Sequence, residues 1–146
     1  MASNPPVGTQ RIQPYLFYSD APRAIDFIVQ AFGFEERFRM PMPDGSIGHA
    51  EVSMGDCIVC LATASSVMGH ASPKDLAGVS SSVVVYVDDV DAHHERASSA
   101  GATIIAPPED KFYGDRCYEA RDFEGHRWFF ATHFKDFDPA DAPDGC

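Results

Sequence analysis

Basic residues are scarce: 11 Lys and Arg stand against 22 Asp and Glu, and the formal net charge is −11. Nucleic acid and anionic membrane are poor partners for such a chain, since both are recognised through a positive footprint. Long apolar runs are also missing, and nothing approaches the roughly 18 consecutive apolar residues of a membrane-spanning helix. The opening MASNPPVGTQ has neither the charged nor the apolar region of a secretory signal, so a cytoplasmic location is expected. Cysteines number four. A chain of 146 residues with 45% hydrophobic and 12% aromatic content can bury a core without disulfides. Cys57 and Cys60 have C-x-x-C spacing, but on an alternating strand the odd separation points them to opposite faces, which argues against a shared zinc or redox site. Part of the acidity is local. The tail FKDFDPADAPDGC carries four Asp and one Lys, leaving about −8 on the body, which serves solubility first.

The chain contains one motif twice. RIQPYLFYSD alternates as a strand, and DAPRAIDFIVQAFG reads as a helix with Asp20 as N-cap, Pro22 in the first turn and Gly33 at the end. Ile25, Ile28, Val29 and Phe32 form its apolar stripe. Strands over EERFRMPM, GHAEVSM and CIVCLATA follow, joined by the turns PDGS and GD. After SSVMGHASPKDLAGVS, which has linker composition, the order returns: strand SSVVVYVD, helix DVDAHHERASSAG, then ATIIAPP, DRCYEAR and RWFFATH. The reading is an α+β chain of two tandem β-α-β-β-β units, residues 11–64 and 81–133. A flexible segment 1–10, a linker 65–80 and an acidic tail 134–146 complete it.

Asp20 and Asp89 each open a helix after a strand, an offset of 69 residues. The same offset matches Gln13 to Ser82 and Cys60 to Phe129. Glu51 and Glu119 become equivalents if the first copy has a two-residue turn and the second a three-residue turn with a Gly bulge. In the second copy DFEG is that turn. Its Asp and Gly serve backbone geometry, with Glu124 and His126 expected in solvent.

The paired units, with YSDAPRAIDF, GHAEVSMGD and YGDRCYEARDFEGHRWFFATH over residues 11–133, resemble the vicinal-oxygen-chelate superfamily of glyoxalase I, bleomycin-resistance proteins and extradiol dioxygenases. Small PhnB-like members are the most similar in flavour. The resemblance implies two units curled into an incomplete barrel around a cavity, completed across a homodimer. In metal-using members it also implies one ligand on each of the first, fourth, fifth and eighth strands. Those positions are here Gln13, Cys60, Ser82 and Phe129. Only Gln13 is a ligand type of the glyoxalase branch; Phe129 cannot coordinate and Ser82 is a poor ligand. The inherited metal site is expected to be lost, and no cofactor is expected.

His49 lies two residues before Glu51 and shares its face of the strand. Pairing Glu51 with Cys60 across the GD turn puts both on the wall of the old fourth-strand ligand. Gln13, His49 and Glu51 are therefore the set from which a displaced divalent metal site can be drawn. His93 and His94 on a helix and His70 in the linker are expected in solvent, and His133 at the rim. The implied cavity wall comprises Tyr15, Phe17, Val84, Tyr86 and Phe129, with Tyr113 and Tyr118 as further candidates and Glu51 and Glu119 as polar points. Trp128 and Phe130 alternate away, to pack under a helix. Arg116 is a candidate to pair with Glu51 or Glu119 and neutralise it.

These readings give a metal-independent, homodimeric protein that binds and sequesters an aromatic or cationic small molecule. Two alternatives remain open. One is a lyase, isomerase or dioxygenase-like enzyme using a relocated metal or Glu51 as general base; the other is a dimeric partner protein whose cavity has filled.

Overall fold

The helix of the first unit starts and stops where its sequence says. In the computed structural model, which describes residues 1–144, the Asp20 side chain accepts from the Arg23 N–H, and Gly33 takes a left-handed conformation at φ 76° that a side chain would oppose. The last two residues of the expected acidic tail, 145 and 146, lie outside the described residues. Strand β1 (Tyr15–Tyr18) precedes this helix α1 (Ala21–Phe32), and β2 (Glu35–Pro41), β3 (Ile47–Met54) and β4 (Cys57–Thr63) follow it. The second set is β5 (Ser82–Tyr86), α2 (Val90–Ser99), β6 (Thr103–Asp110), β7 (Asp115–Arg121) and β8 (Arg127–His133).

Each set builds its own four-stranded sheet, in the orders β1-β4-β3-β2 and β5-β8-β7-β6. Neither sheet closes on itself. The outer pairs β1–β4 and β5–β8 are parallel, and the other pairs are antiparallel. By backbone proximity the chain divides into two compact units, Met1–Gly78 and the remainder from Val79.

The register bears out the duplication. Tyr15 and Glu51 both lie opposite Cys60, while Val84 and Glu119 both lie opposite Phe129. Gly55 and Asp56 form the two-residue turn of the first unit, between Met54 and Cys57. In the second, the N–H of Asp122 bonds to the carbonyl of His126, leaving Phe123, Glu124 and Gly125 as a three-residue turn with Gly125 at φ 104°. The first strand is shorter than expected. It begins at Tyr15 rather than residue 11, because Pro14 has no N–H to extend the ladder, although its carbonyl still accepts from Cys60 N at 2.9 Å.

Burial follows the alternation. In α1, Ile25, Ile28 and Phe32 are fully buried and Val29 half-buried. Each full burial stabilises the fold by about 1.5 to 3 kcal/mol. Helix α2 is poorer in apolar residues; among its side chains only Val90 and Ala97 are buried. Its histidines supply the rest of the cover, which corrects the expectation that they lie in solvent. The His93 ring packs 4.2 Å from that of Phe130, and its Nδ1 lies 2.6 Å from the Tyr118 hydroxyl. His94 meets Tyr118 edge-on at 5.1 Å. Imidazole can do this because its body is largely apolar and only its tips are wet.

Tyr118 is consequently no candidate for an open face. It is buried on the helix side of its sheet beside Trp128 and Phe130, and burial holds its phenol well above the usual range. The turn after it also differs from expectation. Asp122 Oδ1 accepts from the N–H groups of Glu124, Gly125 and His126, at 3.1, 3.0 and 3.1 Å, and Oδ2 from the Trp128 indole at 3.1 Å. Folding around that carboxylate leaves Glu124 buried and His126 half-buried rather than in solvent.

Candidate ligand-binding face

Alternation along each strand gives one side of a sheet to its helix and leaves the other uncovered within the unit. In the first unit Leu16, Tyr18, Ala50, Val52, Val59 and Leu61 are buried on the α1 side. Tyr15, Phe17, Phe38, His49, Glu51 and Cys60 occupy the opposite face, fixed by the pairings of Tyr15 and Glu51 with Cys60 and of Phe38 with Glu51.

These side chains form a connected network. The Tyr15 hydroxyl lies 2.8 Å from His49 Nδ1, and His49 Nε2 lies 3.2 Å from Glu51 Oε1. Arg37 Nε stands 3.8 Å from Glu51 Oε2. The Cys60 thiol donates to Gln13 Oε1 at 3.2 Å, and Gln13 Nε2 donates to the Gln10 carbonyl at 3.0 Å. Gln10 is in turn fastened to β4, donating to the Ile58 carbonyl and accepting from the Ile58 N–H. Burial, and then the Glu51 charge, push the Cys60 thiol up from its ordinary value. The Tyr15 phenol is raised as well, by burial first and then by Cys60.

An aromatic ladder continues from Tyr15. The Tyr15 and Phe17 rings stack at 5.1 Å, and the His70 ring lies 3.7 Å from Phe17 and nearly parallel to it. This corrects the expectation for His70, which is half-buried rather than in solvent. Its Nδ1 is buried with no hydrogen-bond partner among the described residues, so stacking rather than a bond at that atom holds the ring. Together with Asp44, Ser46 and Thr63 these rings line a cavity of about 730 Å³. That is the size of a drug-like ligand site.

The second unit is built the same way with different chemistry. Its open face carries Ser82, Val84, Tyr86, Cys117, Glu119 and Phe129. Glu119 is buried in an ion pair with Arg127, and both line a hollow of about 250 Å³ with Ser82 and Phe129. Tyr86 donates to Asp115 Oδ2 at 2.8 Å. Asp115 Oδ1 lies 2.7 Å from His133 Nδ1, and Asp136 lies 2.9 Å from the other ring nitrogen. Asp136 and then Asp115 raise the His133 imidazole from its usual value. Burial, with the Cys117 thiol second, lifts the Tyr113 phenol to about 12.

Arg116 does not take the role expected of it. Its side chain leaves the sheet on the helix side and binds Asp91 and Asp110 at 3.0 to 3.1 Å. Its neighbours on either side in sequence point the other way, which is why it cannot reach Glu119. The compensating cation is Arg127. The signal for it was the cross-strand diagonal, since Arg127 lies two residues before Phe129, the partner of Glu119. For His70 there was no comparable signal, because it lies in a segment of turn-forming residues.

The inherited metal positions do not fit a metal. Each unit supplies two, and in the second unit these are a hydroxyl and a phenyl ring, with the nearby Glu119 carboxylate already engaged by Arg127. The donor set is too poor for the hard or borderline divalent ions.

The architecture is a duplicated β-α-β-β-β chain whose sheets each carry a polar and aromatic open face. The sequence profile of the Glyoxalase/Bleomycin resistance protein/Dioxygenase superfamily matches residues 10–130, and the chain belongs to that superfamily. An uncharacterized protein of Mycobacterium bovis is 38% identical over 120 residues, spanning 80% of this chain and 79% of the relative. The crystal structure of TioX from Micromonospora sp. ML1 is 38% identical, covers 86% of this chain and 99% of its own, and superposes with a TM-score of 0.68. The genomically encoded fosfomycin resistance protein FosX of Listeria monocytogenes is 13% identical at a TM-score of 0.62, over 90% of this chain and 96% of that one. This last likeness is one of fold alone.

Proposed function

We propose that the protein binds and sequesters an aromatic or cationic small molecule on the open face of its first unit, without a metal held by the superfamily's inherited set of four positions. The observation that carries this reading is the ladder of Tyr15, Phe17 and His70 along a cavity of about 730 Å³, with Asp44 at its wall and Glu51 on the same face. Ring faces attract a flat or positively charged ligand, and a carboxylate beside them favours the cation. The acidic chain adds long-range attraction of the same sign.

A homodimer accompanies this reading. Tyr15, Phe38, Met40, Val84 and Tyr86 are exposed apolar or aromatic side chains on the open faces, and a second copy is the natural cover for such surface. The test is a melting-temperature screen with acriflavine, a planar cation, and bleomycin, each at low and high salt. A rise that shrinks with added salt is expected, as mass action and screening require. No rise with either compound at millimolar concentration counts against the proposal.

A further inference from the structure

We infer that Cys60, His49 and Glu51, with Gln13 as a fourth donor, form a binding site for a borderline-soft divalent transition metal of the zinc class. The site lies wholly within the first unit and does not rest on the sequestration reading. A His nitrogen, a carboxylate oxygen and the Cys60 sulfur all lie within 4.8 Å of one another. Donors on a tetrahedral zinc are separated by roughly 3.3 to 3.7 Å, given its ordinary bond lengths. The His49–Glu51 separation of 3.2 Å and the Cys60–Gln13 separation of 3.2 Å are already near that spacing. Thiolate, imidazole and carboxylate together suit zinc or cobalt, and they disfavour magnesium and calcium.

The surroundings orient the donors. Tyr15 holds His49 Nδ1 at 2.8 Å, which leaves Nε2 turned toward Glu51 as the coordinating nitrogen. Gln13 donates its amide N–H to the Gln10 carbonyl, which turns its oxygen toward the Cys60 sulfur. Such second contacts fix ligand geometry and usually change metal affinity when removed. The arrangement keeps Gln13 and Cys60, two positions of the superfamily's four-strand set, but departs from the rest of it, because β3 supplies His49 and Glu51 and the second unit supplies no donor. A metal here would occupy Glu51, so it would compete with a cationic ligand rather than assist it.

Cobalt(II) tests the inference, because a thiolate on cobalt gives a charge-transfer band in the near ultraviolet. The purified chain should take up one cobalt per molecule and show that band. Cys60→Ser should abolish the band, whereas a chain carrying Cys57→Ser, Cys117→Ser and Cys146→Ser should keep it. His49→Ala and Glu51→Gln should weaken uptake by about ten-fold or more, and Tyr15→Phe by about ten-fold. If circular dichroism shows that Cys60→Ser has not folded, the half-buried His49→Ala decides. A band that survives in folded Cys60→Ser, a cobalt affinity unchanged by His49→Ala, or the absence of the band from the unaltered chain at millimolar cobalt would overturn the site.

Discussion

Replacing Asp122 with Ala removes one carboxylate from four donors at once: three backbone N–H groups of the turn and the Trp128 indole. Asp122 is 3% exposed and Trp128 fully buried, so water cannot take over every bond without opening the turn. A hydrogen bond to a charged partner contributes about 1.5 to 3 kcal/mol. The four are not additive, because the tip of the turn can rehydrate while the indole cannot, and we expect a loss of about 3 to 5 kcal/mol. That is a large part of a total stability of about 5 to 15 kcal/mol. At about 2 to 4 °C per kcal/mol for a chain of this size, the melting temperature should fall by about 6 to 20 °C. Asp122→Asn keeps one acceptor oxygen but turns its amide toward a donor, so a smaller loss of about 1 to 3 kcal/mol is expected. Urea unfolding followed by fluorescence reads the effect directly, since Trp128 is the sole tryptophan. A loss below about 1 kcal/mol for Asp122→Ala would refute the reasoning and leave the turn to Gly125 alone.

The His133 imidazole, raised by Asp136 and Asp115, should titrate by NMR above the unperturbed value of about 6.5. Its charged form is favoured by folding, so the stability it adds is fully present below the unfolded value and is lost as pH rises through the folded one. A midpoint at or below that of an unfolded histidine would refute this. Alkylation by iodoacetamide near neutral pH should modify exposed Cys57 well before buried Cys60, whose thiol is held protonated by burial and Glu51. Peptide mapping that finds Cys60 modified first would contradict the placement. Light scattering at micromolar concentration should give twice the chain mass; a monomer there would remove the proposed dimer.

The fold was legible because each local signal agreed with its neighbour. Asp20, Pro22 and Gly33 mark α1, and the Gly-containing turns set registers that place Glu51 and Glu119 as equivalents. Trp128 and Phe130 were placed correctly by alternation alone. The same rule, applied to Tyr118, would have sent it to the helix side with them, since it lies one residue from Glu119. The site was less legible because its partners are not periodic. Arg127 takes the role expected of Arg116 through a cross-strand diagonal, and His70 reaches Phe17 from an irregular segment. His93 shows a third limit: a helix with few apolar residues recruits polar rings to cover its sheet, and pattern reading takes them for surface.

Calorimetric titration of acriflavine into the unaltered chain and into Glu51→Gln tests the central claim most directly. Glu51 has lost most but not all of its exposure, its side chain remaining 24% accessible. The substitution should weaken binding by about 1 to 3 kcal/mol, or about 5- to 150-fold, with urea stability little changed. Equal affinity in the two proteins would contradict an acidic aromatic binding face and leave the net charge of −11 to solubility alone.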